Sequence, residues 1–256
     1  DIVYKMLRFV VLSGIVAISL AAPNNRIVNG NDAKEGQYPY VVSLRGPTGG
    51  HTCGASIIDR LWILTAAHCV YGREDLDFSV QYGVTTISQK GDTVVDVDEI
   101  IVHKGYNPSN SYINDIALLR LSEPLKYSKF AQPVTLPEAN EQTKHNAPAT
   151  LVGWGINSTT DGVLQTHLQE LHYQIVGSKE CGDLHFRPIY KEQICAAYPD
   201  YDRAQCSGDS GGPLTVDEVQ VGIVSWSVKP CAVARFPGVF TQVSFYRDWI
   251  KVHTGV

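Results

Sequence analysis

Short apolar segments recur along most of the chain, and Gly, Pro, Asn or Asp residues separate one segment from the next. This pattern predicts β-strands, because the turn-forming residues interrupt each segment before a helical repeat could develop. The clearest predicted strands are Val41–Leu44, Trp62–Thr65, Ile116–Leu121, Val219–Trp226 and Gly238–Val243. We therefore expect an all-β protein, built as barrels or as a sandwich.

The C-terminus carries the one marked helical pattern. Ser244 is a candidate N-cap, and the apolar side chains of Phe245, Trp249 and Val252 would then share one helix face. A terminal helix that packs on the β-structure through this face is therefore expected.

The N-terminal segment has the features of a secretory signal peptide. A basic start precedes an apolar run from Phe9 to Ala21, which ends in the small-residue pattern Ser19-Leu20-Ala21. The run is too short to span a bilayer comfortably, and a buried strand or a membrane anchor is the alternative. We predict a signal peptide over residues 6–21 and a secreted, extracellular protein without a membrane partner, and we assign residues 1–5 no role.

Composition narrows the class of protein. Apolar residues make up 44% of the 256 residues, which is enough for a sizeable core, and the net charge is −5. No lysine- or arginine-rich run is present, so nucleic acid is not expected as a partner. The six cysteines predict three disulfides of open connectivity in a secreted chain, and the lack of a C-x-x-C pair argues against a zinc ribbon.

Three short segments contain the residue types of a serine nucleophile and of the groups that activate it. They are Thr65–Cys69 with His68, Asn114–Leu119 with Asp115, and Cys206–Pro213 with Ser210. Each alone has an ordinary structural explanation, since a histidine beside a cysteine, an aspartate before a strand and a glycine-rich loop are all common. Their occurrence together, in the order His, Asp, Ser, indicates a catalytic triad.

The chemistry explains why these residue types are needed. A serine hydroxyl is a weak nucleophile at neutral pH, so Ser210 needs His68 within hydrogen-bond reach as a general base. A buried aspartate, Asp115, would fix the tautomer of the imidazole and stabilise the imidazolium. The backbone N–H groups of Gly208 and Ser210 would bind the oxyanion of the tetrahedral intermediate.

Taken together, these motifs resemble the trypsin and chymotrypsin family of serine endopeptidases, from Ile27 to the C-terminal helix. The resemblance implies two packed six-stranded antiparallel β-barrels with a C-terminal α-helix, and an active site in the cleft between the barrels. It assigns His68 as general base, Asp115 as its orienting partner and Ser210 as nucleophile. It also implies the disulfides Cys53–Cys69, Cys181–Cys195 and Cys206–Cys231.

Activation by proteolysis is a further implication of the resemblance. Arg26 precedes an Ile-Val start, so cleavage there would release an activation peptide of residues 22–26 and leave a protease domain of residues 27–256. The new α-amino group of Ile27 would pair with Asp209 inside the protein and order the oxyanion hole. Such a buried ion pair is costly unless it is complete, so it can act as a switch.

By the same resemblance, the primary specificity pocket is lined by Ala204, Gln205, Ser225, Trp226, Ser227 and Gly238. Ala204 stands where trypsin has an aspartate, so a buried Lys or Arg would lack a partner, and a separate trypsin-like activating protease is implied. Gly238 leaves the pocket open, which favours a large apolar P1 residue as in chymotrypsin. Ser227 narrows the entrance, which keeps an elastase-like preference for small apolar P1 residues as the alternative, and Gln205 could add a polar contact.

The remaining expectations concern modification, ligands and partners. Asn157 begins an N-glycosylation sequon, and Val84–Ser88 lacks the carboxylates of the calcium loop of trypsins. By the resemblance, His51 occupies the position of a histidine that can hold Asp209 in the precursor. We expect no metal or cofactor, a monomer, and protein or peptide substrates, with protein protease inhibitors as further partners. A role in digestion, in a venom or in a proteolytic cascade stays open.

Two other classes of protein share part of this pattern. The G-x-S-x-G spacing at Ser210 also occurs in α/β-hydrolases, but that fold requires a helix after the serine and a later histidine, and here only His253 follows. A non-catalytic homologue that acts by binding is the other alternative, although such proteins commonly lose a triad residue.

Overall fold

The secondary structure of the protein, taken from a computed structural model, consists mainly of short β-strands. The structure describes residues 30–74, 77–88, 93–156, 162–200, 203–231 and 236–256. The first strands are β1 (Asn31–Asp32), β2 (Val41–Arg45), β3 (His51–Ile57), β4 (Trp62–Thr65), β5 (Ser79–Gln81), β6 (Val94–Val102) and β7 (Ala117–Leu121). They are followed by β8 (Pro148–Gly153), β9 (Gln169–Val176), helix α1 (Ser178–His185), β10 (Gln193–Ala197), β11 (Pro213–Val216), β12 (Val219–Trp226), β13 (Gly238–Gln242) and helix α2 (Arg247–Thr254).

Strands β2 to β7 close into a barrel in the order β2-β3-β4-β7-β6-β5, and every neighbouring pair is antiparallel. Closure leaves no unpaired strand edge in this sheet. The fully buried side chains of Val42, Leu44, Ile57, Ile63 and Leu118 belong to one apolar cluster in this half of the protein.

Strands β8 to β13 form a second antiparallel barrel in the order β9-β10-β13-β12-β11-β8, which the pairing of β8 with β9 closes. Strand β1 pairs with the start of β9. Leu151, Leu171, Leu214 and Phe240 are buried in the core of this barrel. The two six-stranded barrels and the C-terminal helix confirm the fold class that the resemblance implies.

The apolar cluster of the first barrel extends to residues of the second barrel. Trp154 follows β8, is fully buried, and packs in the same cluster as the side chains of the first barrel. Its indole Nε1 donates to the Thr85 carbonyl at 3.1 Å. The Ser56 hydroxyl donates to Gln220 Oε1 at 2.6 Å, which joins β3 to β12 by a buried polar contact. Residues that the two barrels contribute to one site are therefore held in a fixed relation.

The C-terminal helix starts later than the sequence predicts. A 3-10 turn over Val243–Tyr246 precedes α2, and the Ser244 hydroxyl donates to the Glu141 carbonyl at 2.8 Å, so it does not cap the helix. Because the helix begins after this turn, Ile250 is its buried residue and Val252 is 81% exposed, so the prediction for Val252 is wrong. No helix within the described ranges combines the length and apolar composition that a membrane crossing needs.

The structure contains the disulfides Cys53–Cys69, Cys181–Cys195 and Cys206–Cys231, the pairs that the resemblance implies. The first connects β3 to the turn that carries His68. The second connects α1 to β10. The third connects the loop that precedes Ser210 to the segment after β12, so two of the three disulfides brace candidate catalytic segments.

Candidate active site

His68 lies just beyond β4, where a short 3-10 turn, Ala67–Cys69, is joined to β3 by the disulfide of Cys69. The imidazole Nδ1 is 2.7 Å from Asp115 Oδ2, and the His68 backbone N–H donates to Asp115 Oδ1 at 2.8 Å. An ionised carboxylate only accepts hydrogen bonds, so Nδ1 carries the proton and Nε2 is left as the basic nitrogen. Asp115 thus fixes both the orientation and the tautomer of the ring.

Asp115 is fully buried two residues before β7 and has further partners in the second barrel. Its Oδ2 accepts the Ser225 hydroxyl at 2.6 Å, and Thr241 Oγ1 donates to its main-chain carbonyl at 2.7 Å. By the resemblance Ser225 belongs to the pocket wall, but its hydroxyl is directed to the carboxylate, where it satisfies a buried charge. Thr241 was not identified from sequence, since no motif contains it.

The loop that carries Ser210 packs against the segment that leads to His68. The Gly54 N–H donates to the Ser210 carbonyl at 2.8 Å, which joins the loop to β3. Gly211 has a φ of 79° and lies so close to β4 that a β-carbon there would overlap Thr65 Oγ1. Among the described residues no hydrogen bond joins Ser210 Oγ to His68 Nε2, and both side chains are half-buried.

The predicted oxyanion amides lie in this loop. The amides of Asp209 and Gly211 donate to backbone carbonyls, whereas those of Gly208 and Ser210 have no backbone acceptor within the described ranges. Gly208 has a φ of 98°, and a β-carbon there would lie 2.6 Å from Leu164 Cδ2. The positive φ favours glycine at this position, and the missing side chain leaves room for Leu164.

Comparison with known proteins agrees with this geometry. The profile of the Trypsin family matches residues 27–250. The chain belongs to the trypsin family of serine proteases. It is similar to chymotrypsin-2 from Vespa crabro, at 42% identity over 225 residues, which cover 88% of this chain and 98% of the relative. It is also similar to trypsin eta from Drosophila melanogaster (37% identity, 97% of this chain and 96% of the relative) and from Drosophila erecta (36% identity, 97% of each).

This trypsin-family protein has a second fully buried aspartate, Asp209, directly before Ser210. Its Oδ1 accepts the Gly155 N–H and its Oδ2 the Cys206 N–H, both at 2.8 Å. Gly155 packs so closely that a β-carbon would overlap the carboxylate. Burial raises the pKa of Asp209 to about 6, although the two amides and the charge of Lys229 oppose the shift.

His51 contacts the same loop from the first barrel. Its Nε2 lies 2.9 Å from the Gly208 carbonyl and its Nδ1 lies 2.7 Å from Ser43 Oγ, so its described partners do not include Asp209. A carbonyl only accepts, so Nε2 carries the proton and Nδ1 accepts the Ser43 hydroxyl. Burial lowers the pKa of His51, which keeps the ring neutral in this arrangement.

Gln205 changes the expected pocket of this trypsin-family protein. Its side chain is 2% exposed and lies beside Gly238, where a β-carbon would overlap the carboxamide. The carboxamide thus occupies the space beside the Gly238 α-carbon, and the openness of the P1 pocket stays a prediction. Ala204 is half-buried and brings no carboxylate.

Trp226 and Ser227, predicted for the pocket wall, are half-buried where β12 ends. The Trp226 ring has two neighbours from α1 and the loop after it. The His185 ring lies 4.9 Å away between centroids, and the guanidinium carbon of Arg187 lies 3.9 Å above the indole centroid. Neither neighbour could be identified from the sequence, because only the fold brings α1 to the end of β12.

Several predicted residues cannot be placed. Three of the predicted features lie outside the described residues. They are the signal peptide of residues 6–21, the activation site with Arg26 and Ile27, and Asn157 of the sequon.

Within the described part of the chain, one group of potential metal ligands is close together, Cys53, His68 and Cys69. The disulfide between the two cysteines leaves no thiolate there to bind a metal.

Proposed function

We propose that this chain is made as a secreted zymogen and becomes, after cleavage, a serine endopeptidase that uses His68, Asp115 and Ser210. One observation carries the proposal. Asp115 holds His68 at Nδ1 and at the backbone N–H, at 2.7 and 2.8 Å, with Nε2 left as a base. The packing of the Ser210 loop on the segment that leads to His68 supports the assignment of the nucleophile.

In the proposed reaction, Ser210 Oγ attacks the carbonyl carbon of the scissile peptide bond and its proton passes to His68 Nε2. The Asp115 carboxylate stabilises the imidazolium, and the N–H groups of Gly208 and Ser210 bind the oxyanion. Collapse of the tetrahedral intermediate expels the amine, which takes the proton from His68 and leaves an acyl-enzyme. Water then attacks the ester by the same steps, which releases the carboxylic acid and restores the serine.

Asp209 supports the zymogen part of the proposal. Its partners in the described structure are backbone amides, and burial raises the pKa of its carboxyl, so a cationic partner would be favourable. We assign this role to the α-amino group of Ile27, freed when a trypsin-like protease cleaves after Arg26. The ion pair would hold the loop that contains the oxyanion amides.

We expect the pocket to bind substrates with an uncharged P1 residue. Ala204 offers no carboxylate, so a buried Lys or Arg would lack a counter-charge. Chymotrypsin-like cleavage after large apolar residues is our preferred version. Elastase-like cleavage after small apolar residues is the alternative, and the carboxamide of Gln205 beside Gly238 favours it by making the pocket shallower. The relatives carry both chymotrypsin and trypsin in their names, so the names support the reaction and not one P1 class.

P1 profiling of the activated protein tests the proposal. The precursor would be cleaved with trypsin, the trypsin inhibited, and the product given a peptide library beside the Ser210→Ala variant. We expect cleavage after uncharged P1 residues, abolished in the variant. Cleavage only after Ala or Val would support the elastase-like alternative, and faster cleavage after Arg than after Phe would contradict the pocket assignment. No cleavage and no reaction with a serine-directed inhibitor would indicate a homologue that acts by binding.

A further inference from the structure

Asn114, the residue before Asp115, has an unusual backbone conformation. Its φ is 56°, in the left-handed region that a residue with a side chain adopts at a cost in free energy. Its carbonyl accepts the Ile116 N–H at 2.9 Å, so the three residues form a tight turn with Asp115 at the centre. The direction in which Asp115 leaves the backbone therefore depends on the conformation of Asn114.

Two hydrogen bonds hold the side chain of Asn114, one at each end of its carboxamide. Nδ2 donates to the Gly105 carbonyl at 2.8 Å, and Oδ1 accepts the Tyr246 hydroxyl at 2.8 Å. A carbonyl only accepts hydrogen bonds, so Nδ2 must face Gly105 and Oδ1 must face Tyr246. The carboxamide thus joins the loop after β6 to the turn before α2.

The Gly105 anchor is itself held in place by His103. The Gly105 N–H donates to His103 Nδ1 at 3.1 Å, and the His103 N–H donates to the Ile116 carbonyl at 3.1 Å. Burial lowers the pKa of His103, and the charge of His253 acts in the same direction, so the ring is neutral and Nδ1 can accept. This anchor lies in the first barrel, as Asn114 does, and adds no connection between the barrels.

Tyr246 is the anchor that follows the second barrel. It ends the 3-10 turn after β13, and its side chain is 2% exposed. The ring packs in the apolar cluster of the first barrel and lies 5.4 Å from the His103 ring between centroids. Burial raises the pKa of the Tyr246 hydroxyl, so its proton stays in place for Asn114 Oδ1. Tyr246 therefore ties the residue before Asp115 to the chain that leaves the second barrel.

We propose that Tyr246 is a positioning residue of the active site, which acts through Asn114 to hold Asp115 in place relative to the second barrel. Asp115 and His68 come from the first barrel, whereas Ser210 comes from the second. The hydrogen bond from Tyr246 fixes the carboxylate, and with it the imidazole, relative to the serine. This inference rests on the proposed function, because it concerns the triad of that reaction.

The contacts of Asp115 explain why its placement matters. Its two oxygens accept the backbone N–H and Nδ1 of His68 at 2.8 and 2.7 Å, so a shift of the carboxylate changes both hydrogen bonds at once. In the proposed reaction, the same shift turns the imidazole away from the serine. The effect falls on the chemical step, and the binding of the peptide is not altered.

Tyr246→Phe tests the proposal, because it removes the hydroxyl and keeps the ring. For the activated enzyme, kcat and KM would be measured on one peptide substrate, with the enzyme concentration set by active-site titration. We expect kcat to fall about 30-fold at unchanged KM, since a misplacement of about 1 Å can cost about a hundredfold.

Tyr40→Phe is the matched control. Tyr40 is a buried tyrosine of the same apolar cluster, and its hydroxyl faces Thr215 Oγ1 at 3.5 Å. The control removes the same atom from the same core and leaves the turn at Asn114 as it is, so we expect kcat to stay unchanged. An equal fall of kcat in Tyr40→Phe and Tyr246→Phe would overturn the inference.

Proton NMR gives a readout that a merely structural role would not change. The Nδ1 proton of His68 lies in a short hydrogen bond to the Asp115 carboxylate, and such a proton resonates at low field. We expect this signal to move to higher field in Tyr246→Phe and to keep its position in Tyr40→Phe. If Tyr246 only stabilises the fold, its variant will unfold at a lower temperature with an unchanged signal and kcat.

A double variant tests the route through Asn114. Asn114→Gly tolerates the φ of 56° but removes the carboxamide that links Tyr246 to the turn. In this background, Tyr246→Phe should lower kcat little further, because the hydroxyl has already lost its acceptor. Fully additive losses would show that Tyr246 acts by another route and would overturn the inference.

An unchanged kcat and an unchanged Nδ1 signal in Tyr246→Phe would also overturn the inference. Should that variant fail to fold, an unchanged kcat in Asn114→Gly would overturn it instead. Either result, in an enzyme that titrates normally, would leave the peptidase assignment in place. A lack of titratable active sites in the unmodified, activated protein would overturn the peptidase assignment and the inference together.

Discussion

Two fully buried aspartates, one beside a strand of each barrel, accept their hydrogen bonds from different kinds of donor. Asp115, next to β7, accepts the backbone N–H and the imidazole of His68 and the hydroxyl of Ser225. Asp209, in the loop before β11, accepts only backbone amides among the described residues. Since both are equally buried, the donors distinguish the two sites.

The different donors suit the two aspartates to different roles. In the proposed mechanism the imidazole beside Asp115 gains a proton, so a charge develops there during each catalytic cycle. At Asp209 the donors are fixed amides that do not fully offset burial, and the pKa of the carboxyl rises to about 6. The first arrangement suits catalysis, and the second suits a switch that is completed by a cation.

The largest expected effect on activity comes from replacing Asp115, the aspartate that accepts from His68. In Asp115→Asn an amide replaces the acceptor of the Nδ1 proton, so His68 takes the other tautomer and Nε2 no longer serves as a base. We expect kcat to fall about 10⁴-fold at neutral pH with the fold retained. Steady-state kinetics on the activated variant measure the loss, with thermal unfolding as the control. A fall of less than about tenfold would contradict the role of Asp115.

Asp209→Asn is expected to have the second-largest effect. The variant keeps the size of the side chain but cannot form the ion pair with Ile27. We expect kcat of the cleaved protein to fall about 10²- to 10³-fold, the loss typical of a missing oxyanion donor. Ile27→Gly alters the residue whose α-amino group is the proposed partner. The loss of kcat in the double variant, Asp209→Asn with Ile27→Gly, should therefore be smaller than the two single losses combined. Fully additive losses would show that the two residues act independently.

The stability of the uncleaved precursor tests the same carboxylate without its proposed partner. The pKa of Asp209 rises from 3.8 to about 6 in the folded protein, so the folded state binds this proton more tightly than the unfolded state. The stabilising contribution, roughly 3 kcal/mol, is complete below about pH 4 and is lost as the pH rises through about 6.

Urea unfolding between about pH 4 and 7 measures this contribution to the free energy of unfolding. The matched pair is the Ser210→Ala precursor with and without Asp209→Asn, because both forms are inactive and stay uncleaved. We expect stability to fall with rising pH only in the form that keeps Asp209. Parallel pH profiles in the two precursors would exclude Asp209 as the source of the effect.

Sequence alone predicts those residues of the candidate site that belong to short local motifs. His68, Asp115 and Ser210 stand in segments of distinctive composition, and the predicted strands differ from the observed ones by at most one residue at an end. The contacts that tune the site could not be predicted. Ser225 reaches Asp115 across 110 residues of sequence and Tyr173 reaches Gln205 across 32, so only the folding of the barrels sets these distances.

The C-terminal helix shows the same limit on a smaller scale. Local capping rules point to Ser244, but the hydroxyl of this residue bonds to the carbonyl of Glu141, which lies 103 residues earlier. The 3-10 turn that results delays the helix and rotates Val252 outward. A tertiary hydrogen bond has here replaced the local one that the sequence predicts.

The smallest expected effect is at Ser225, where two roles for one residue make opposite predictions. Its hydroxyl donates to Asp115 Oδ2, so Ser225→Ala should lower kcat about tenfold and leave KM and P1 preference unchanged. A hydroxyl on the pocket wall, as the sequence predicts, would instead change KM and P1 preference at constant kcat. Thr241→Val is the control, because that hydroxyl bonds to the main chain of Asp115 and not to its carboxylate. A greater loss in Thr241→Val than in Ser225→Ala would mean that the placement of Asp115, and not the compensation of its charge, limits the reaction.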